Sequence, residues 1–386
     1  MPTLVTLPVE VIAEILRKLP DRESLTAASL TYRTLNSCIE AHRFITADVT
    51  EADVGEALLS YLTVAYLGAS LPRPFERASF LISNLYEAPE IIRAEYQNMP
   101  LNEIRRIGRF HDYVCSLVHE WASDSWTHMN GEKFRWLRAV YRFEIFVHFF
   151  RVRGVVEPTL AELRDSFLAR HPPWELEQFA AVHDFLKERL IYSTLKTVGR
   201  YRAGAFGPYE ANWKTWLSQG LDFLRRVEQA ESNEDQRDIL VTGLANGTAQ
   251  PRNSIIDYQM GVAERMLDSA LPYFSEGQIE AMIPAATRND DTDEGPYTAW
   301  RLAHTGTHDY RWVANPEKET LRMIGYVFWD RDRIERWDLE ALCGWLKDGA
   351  DSISTPSDQE STETTWPSMP NFPTTWAQVL RGRRWR

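Results

Sequence analysis

The run Asp290-Asp291-Thr292-Asp293-Glu294 has the D-D-x-x-[DE] spacing in which Asp290, Asp291 and Glu294 offer oxygen ligands to a hard cation such as Mg²⁺. It lies between Asn289 and Gly295-Pro296, which mark a polar loop, and it fails the calcium-loop template because the required Gly and terminal Glu are misplaced. It therefore reads as a solvated acidic loop. His304 and His308 stand four apart, but Thr305-Gly306-Thr307 between them breaks the helix that such ligation needs. His111-Asp112 and His183-Asp184 are isolated pairs, for which ordinary hydrogen bonding is the default. Cys38, Cys115 and Cys343 form no C-x-x-C pair, and an odd, scattered set fits reduced thiols better than a disulfide framework or a zinc site. No G-x-S-x-G elbow, phosphate loop or dinucleotide fingerprint is present. The expectation is a chain with no catalytic residue, no metal and no cofactor of its own. A helical Mg²⁺-dependent enzyme built on Asp290, Asp291 and Glu294 is the remote alternative.

The elements around these residues read as helices, and the fold class expected is all-α. From Leu7 the chain reads LPVEVIAEILRKLPDRESLTAASLTYRTL. Val11, Ile12, Ile15, Leu16 and Leu19 recur with helical spacing opposite Glu10, Glu14, Arg17 and Lys18, so a helix from Pro8 to Leu19 is expected. Proline suits its first turn, Pro20 stops it, and Asp21 is placed to cap a second helix carrying Leu25, Ala28 and Leu30. A third follows with Leu35 and Ile39. Further helices are expected at Val54–Leu67, Ala78–Leu85, Pro89–Gln97, Leu101–Ser123, Glu132–Val152 and Trp174–Thr197. Beyond them come Trp213–Glu231, Asn233–Leu244, Ile255–Leu267, Glu276–Ile283 and Arg331–Lys347, with Asn289–Pro296 as a loop. Glu132–Val152 is apolar almost all round and predicts a central helix. From Asp348 the composition turns to Ser, Thr, Pro and acid and predicts a flexible tail with a basic end, Arg381 to Arg386.

The opening stretch resembles an F-box, the short helical module that docks onto the Skp adaptor of a cullin-type ubiquitin ligase. The resemblance implies an adaptor-binding surface at Leu7, Pro8, Ile12, Ile15, Leu16, Leu19, Leu25 and Leu30. Where Ser24, Ala27, Ser29 and Thr34 stand, the family carries larger apolar or aromatic residues. Trp136–Phe150, Arg170–Leu186 and Arg322–Glu335 resemble segments of a large family of filamentous-fungal F-box-type proteins. The plain reading of these segments is core packing. The expected organisation is an F-box-like module at 1–47, an all-helical domain at 48–347 and a tail at 348–386. Three helices of this size are marginal alone, so an adaptor or the rest of the chain must cover them.

Composition narrows the partners. With 44% hydrophobic residues, 14 Trp, 15 Tyr and 17 Phe, the chain is of the globular kind. A formal charge of −12 disfavours general phosphate binding, so no nucleic-acid partner is expected. No apolar run is long enough to span a bilayer, so no membrane partner is expected either. The location expected is cytoplasmic, nuclear or both. The function expected is a substrate receptor that binds a Skp-type adaptor, and through it a cullin, while presenting an unknown protein substrate. The alternative is a helical binding or scaffold protein whose F-box-like helices pack internally.

Overall fold

The computed structural model describes residues 7–70, 75–121, 130–150, 157–201, 213, 215–248, 276–286, 291, 293–304 and 321–343. Every regular element among them is helical and no strand is found among the described residues, so the chain is all-α. No helix among the described residues is long and apolar enough to cross a membrane. The expected helix Ile255–Leu267 and the tail from Asp348 lie outside the described residues. The chain forms two compact units, residues 1–128 with 140–163 and residues 129–139 with 164–386.

In the first unit, α1 (Val9–Arg17) begins directly after Pro8, whose carbonyl accepts the backbone N–H groups of Val11 and Ile12 at 3.0 and 3.1 Å. Proline thus serves as the cap residue rather than inside the first turn. Asp21 caps α2 (Arg22–Thr31) as expected, its carboxylate accepting the Ser24 N–H at 2.7 Å. That hydrogen bond holds the Asp21 carboxyl below its ordinary range. Extended Tyr32 separates α2 from α3 (Arg33–Ala41).

The hub of this unit is α4 (Arg43–Val54), which packs against α1, α2 and α3 and also against α5 (Glu56–Ser70), α7 (Pro89–Gln97) and α8 (Leu101–Trp121). It is buried at Ile45, Thr46, Ala47, Val49, Thr50 and Val54, and because two threonines lie on the buried side and Phe44 is exposed, its apolar periodicity is weak in the sequence. The expected boundary at residue 47 falls inside this helix. Ile45 and Val49 complete one core with Ile12, Ala13, Leu16, Leu25, Leu35, Cys38 and Ile39. Each large aliphatic side chain buried there contributes roughly 1.5–3 kcal/mol. Arg17 reaches Asp48 at 2.5 Å, and Arg22 ties α2 to Asp53 of α4 at 2.7 Å and Asp112 of α8 at 2.6 Å. From Ala47 the carbonyl accepts the Tyr96 hydroxyl at 3.0 Å. The turn to α5 is made by Gly55, with φ +85°, a conformation that favours glycine. α6 (Phe75–Glu87) packs on α5 and α7.

α9 (Asn130–Phe149) gives the second unit its residues up to Ala139 and the first its residues from Val140. α10 (Glu157–Ala169) is likewise divided after Leu163. In the second unit Pro173 opens the long α11 (Pro173–Tyr201), and buried Trp174 meets Tyr297 edge to face with ring centroids 5.3 Å apart. α12 (Leu221–Glu228) and α13 (Asn233–Thr248) pack on α11. α14 (Glu276–Ala286) and α15 (Gly295–His304) follow, then a 3₁₀ turn at Tyr326–Phe328 and α16 (Arg331–Arg336). Gly295-Pro296 opens a helix here instead of closing a loop. Trp136 stacks on Phe328 at 3.5 Å, and Gly325 at φ +68° permits this, because a Cβ there would lie 2.5 Å from the Trp136 ring.

Candidate functional site

The eight residues assigned to the adaptor face divide into two groups. Ile12, Leu16 and Leu25 are buried in the module's own core, and Leu7 and Leu19 are half-buried against it. Pro8, Ile15 and Leu30 face solvent. On α1, Val11 (43% exposed) and Ile15 (40%) stand four residues apart, with Pro8 one turn earlier, so the helix has a second apolar stripe beside its buried one. Leu30, near the end of α2, is 82% exposed, and Tyr32 follows at 53%. Glu10, Glu14 and Lys18 border the exposed stripe of α1. Apolar anchors rimmed by charge are what a helical docking surface requires.

Asp291 and Asp293 are not the solvated acids that the composition of the run suggests. Asp291 accepts two hydrogen bonds from the Arg135 guanidinium, at 2.7 and 2.6 Å, and Asp293 accepts the backbone N–H groups of Gly295 at 2.6 Å and Arg331 at 3.0 Å. Glu294 pairs instead with Arg331 at the surface, at 3.4 Å. Asp290 lies outside the described residues. Asp291 and Glu294 therefore serve different arginines, and no group of three potential metal ligands is found among the described residues. Of the two histidines, His304 is buried, stacked on Trp300 with its Nδ1 2.7 Å from the Trp300 carbonyl, and His308 lies outside the described residues.

Asp291 belongs to a buried network that sequence reasoning missed. Arg135, 1% exposed, also donates to the Asp330 carboxylate at 2.7 Å and the Phe328 carbonyl at 2.9 Å. Arg138 pairs with Glu175 at 2.8 Å, and Arg333 pairs with Glu132 at 2.6 Å while lying over the Trp337 ring. Arg322 pairs with Asp184 at 2.6 Å and stands 3.7 Å from Glu177. Burial raises the Asp184 carboxyl, but the hydrogen bond from His183 and the charge of Arg322 outweigh it and bring the group to about 2. For Glu132 and Asp330 burial wins and both carboxyls are raised, in spite of the Arg333 and Arg135 charges beside them. Burial likewise lowers Arg333. One signal was present in the sequence: Arg135 and Arg138 sit three apart on a helix that also carries Trp136, Leu137, Val140 and Phe143, which is where paired interior arginines are expected. Glu175 stands in the first turn of α11 and is a partner of Arg138, and Glu177, two residues on, is fully buried beside Arg322.

Comparison with family models, with curated proteins and with solved structures gives no match for this chain.

Proposed function

We propose that the chain is an F-box-type substrate receptor, whose first helices dock a Skp-type adaptor of a cullin ubiquitin ligase while the remainder offers a surface to a protein substrate. The observation that supports this most is the pair of apolar faces on α1. Ile12, Ala13 and Leu16 satisfy the chain's own core, while Pro8, Val11 and Ile15 remain open to a partner. No chemistry is asked of the chain in this role. Holding the substrate near the transferase raises its effective concentration there.

The test is a pull-down of the purified chain with a Skp adaptor, comparing wild type with a double Ile15→Asp, Leu30→Asp variant. Both residues are exposed, so the variant keeps its fold by circular dichroism. Loss of adaptor capture in the variant is expected. Equal recovery of both proteins, or no capture of wild type, removes the proposal.

The burial of Ile12, Leu16 and Leu25 within the chain favours a second reading, a helical scaffold whose F-box-like helices are structural only. That reading predicts no adaptor binding by wild type.

A further inference from the structure

His111 and Cys115 lie one turn apart on α8, and Tyr141 of α9 stands against them within the first unit. The His111 Nε2 is 3.3 Å from the Cys115 Sγ, and its Nδ1 is hydrogen-bonded to the Tyr141 hydroxyl. His111 and Tyr141 are buried, whereas Cys115 is half-buried. Cys38 and Cys343 are closed off, at 2% and 5% exposure. Burial keeps the Tyr141 phenol protonated well above its ordinary range, so its hydroxyl orients the imidazole without acting as a base. In the tautomer whose Nδ1–H donates to the phenol oxygen, Nε2 presents its lone pair to the thiol. Asp112 on the same helix and Asp53 of α4 are the nearby acids, and Arg22 of α2 holds both, at 2.6 and 2.7 Å. A nucleophile within reach of a base, and a base fixed by a third group, is the general arrangement of an activated thiol.

We propose that Cys115 is a peroxide-reactive thiol served by His111 as proton acceptor and Tyr141 as positioning residue. The His111 Nε2 takes the thiol proton, and the sulfur attacks one oxygen of hydrogen peroxide. The O–O bond breaks as the S–O bond forms, and the departing hydroxide recovers the proton from the imidazolium and leaves as water. Sulfur is oxidised by two electrons to a sulfenic acid and the peroxide is reduced, so one thiol and one peroxide give one sulfenic acid and one water. This modification is independent of adaptor docking and uses none of the docking residues.

The experiment exposes the reduced full-length protein to hydrogen peroxide, traps sulfenic acid with dimedone and reads each cysteine by peptide mass spectrometry. Cys115 is expected to label about tenfold or more faster than Cys38 and Cys343, and faster than N-acetylcysteine at the same pH. His111→Gln is expected to slow it about tenfold or more, in line with loss of a positioned base, and Tyr141→Phe to slow it less. Circular dichroism and the melting temperature establish that each variant is folded. A folded His111→Gln protein that labels at the wild-type rate overturns the proposal. If His111→Gln does not fold, the wild-type rate decides: labelling no faster than that of N-acetylcysteine overturns the proposal, and faster labelling supports it.

Discussion

Ile15 and Leu16 are neighbours in sequence with opposite tasks. Leu16 is 2% exposed inside the core shared by α1, α2, α3 and α4, and Ile15 is 40% exposed. Leu16→Ala is expected to cost about 2–5 kcal/mol, the usual range for a large aliphatic truncated in a packed core, and Ile15→Ala only about 0.5 kcal/mol. Urea unfolding followed by circular dichroism measures both, and similar losses at the two positions would show that the outer stripe is structural too. Arg135 poses the matching question for charge. Its guanidinium serves Asp291, Asp330 and the Phe328 carbonyl while almost fully buried. Arg135→Ala leaves Asp330 without its paired cation and Asp291 with only Arg138, 3.9 Å away, and a loss of about 3–5 kcal/mol is expected. Arg135→Lys is expected to recover little, because an ammonium has no planar fork to meet the Asp291 carboxylate with two parallel bonds.

Among the elements, α4 converts three marginal helices into a module, and its exit is fixed by one residue. Gly55 has φ +85°, and a Cβ there meets nothing within 4 Å. Gly55→Ala therefore tests backbone strain without a steric clash, and a cost of about 1–3 kcal/mol is expected in the same unfolding experiment. A neutral effect would mean that the α4–α5 turn relaxes freely. This element also marks the limit of what periodicity discloses. α1 and α2 were legible, with their apolar stripe, the stop before Pro20 and the Asp21 cap, because each faces water on one side. α4 was not, because Thr46 and Thr50 lie on its buried side and Phe44 on its exposed one, which blurs the stripe. α15 was hidden for another reason: Gly295-Pro296 resembles a turn, yet the Asp293 carboxylate accepts the Gly295 N–H at its start. The apolar residues proposed for docking stand out in the sequence by their helical spacing. Which of them faces outward was not legible, since an apolar side chain carries no mark of whether its cover comes from its own chain or from another.

Over the whole molecule, the formal charge of −12 places the burden of acid stability on individual carboxylates, and the buried ones divide by sign. Asp184 is held at about 2 against Arg322 and His183, below the ordinary aspartate value of about 3.9. A carboxyl depressed by folding contributes stability that is fully present above its unfolded value and is lost as pH falls through the folded one. The window for Asp184 is therefore about pH 4 down to about pH 2, and the contribution is about 2–3 kcal/mol. Glu132 and Asp330, raised by burial, act in the opposite sense: their protonation favours the folded state and begins above the ordinary carboxylate range. They give no acid loss in the Asp184 window. Asp184→Asn is thus expected to be less stable than wild type at neutral pH, with the difference closing as pH approaches 2. Urea unfolding midpoints at stepped pH measure this, with the slope checked for constancy so that a shift reflects stability rather than a change of state. A difference that stays the same from pH 7 to pH 2 would mean that Asp184 contributes by packing and hydrogen-bond shape. A closing difference identifies the charge held between α11 and the segment before the 3₁₀ turn as the source of acid resistance in the second unit.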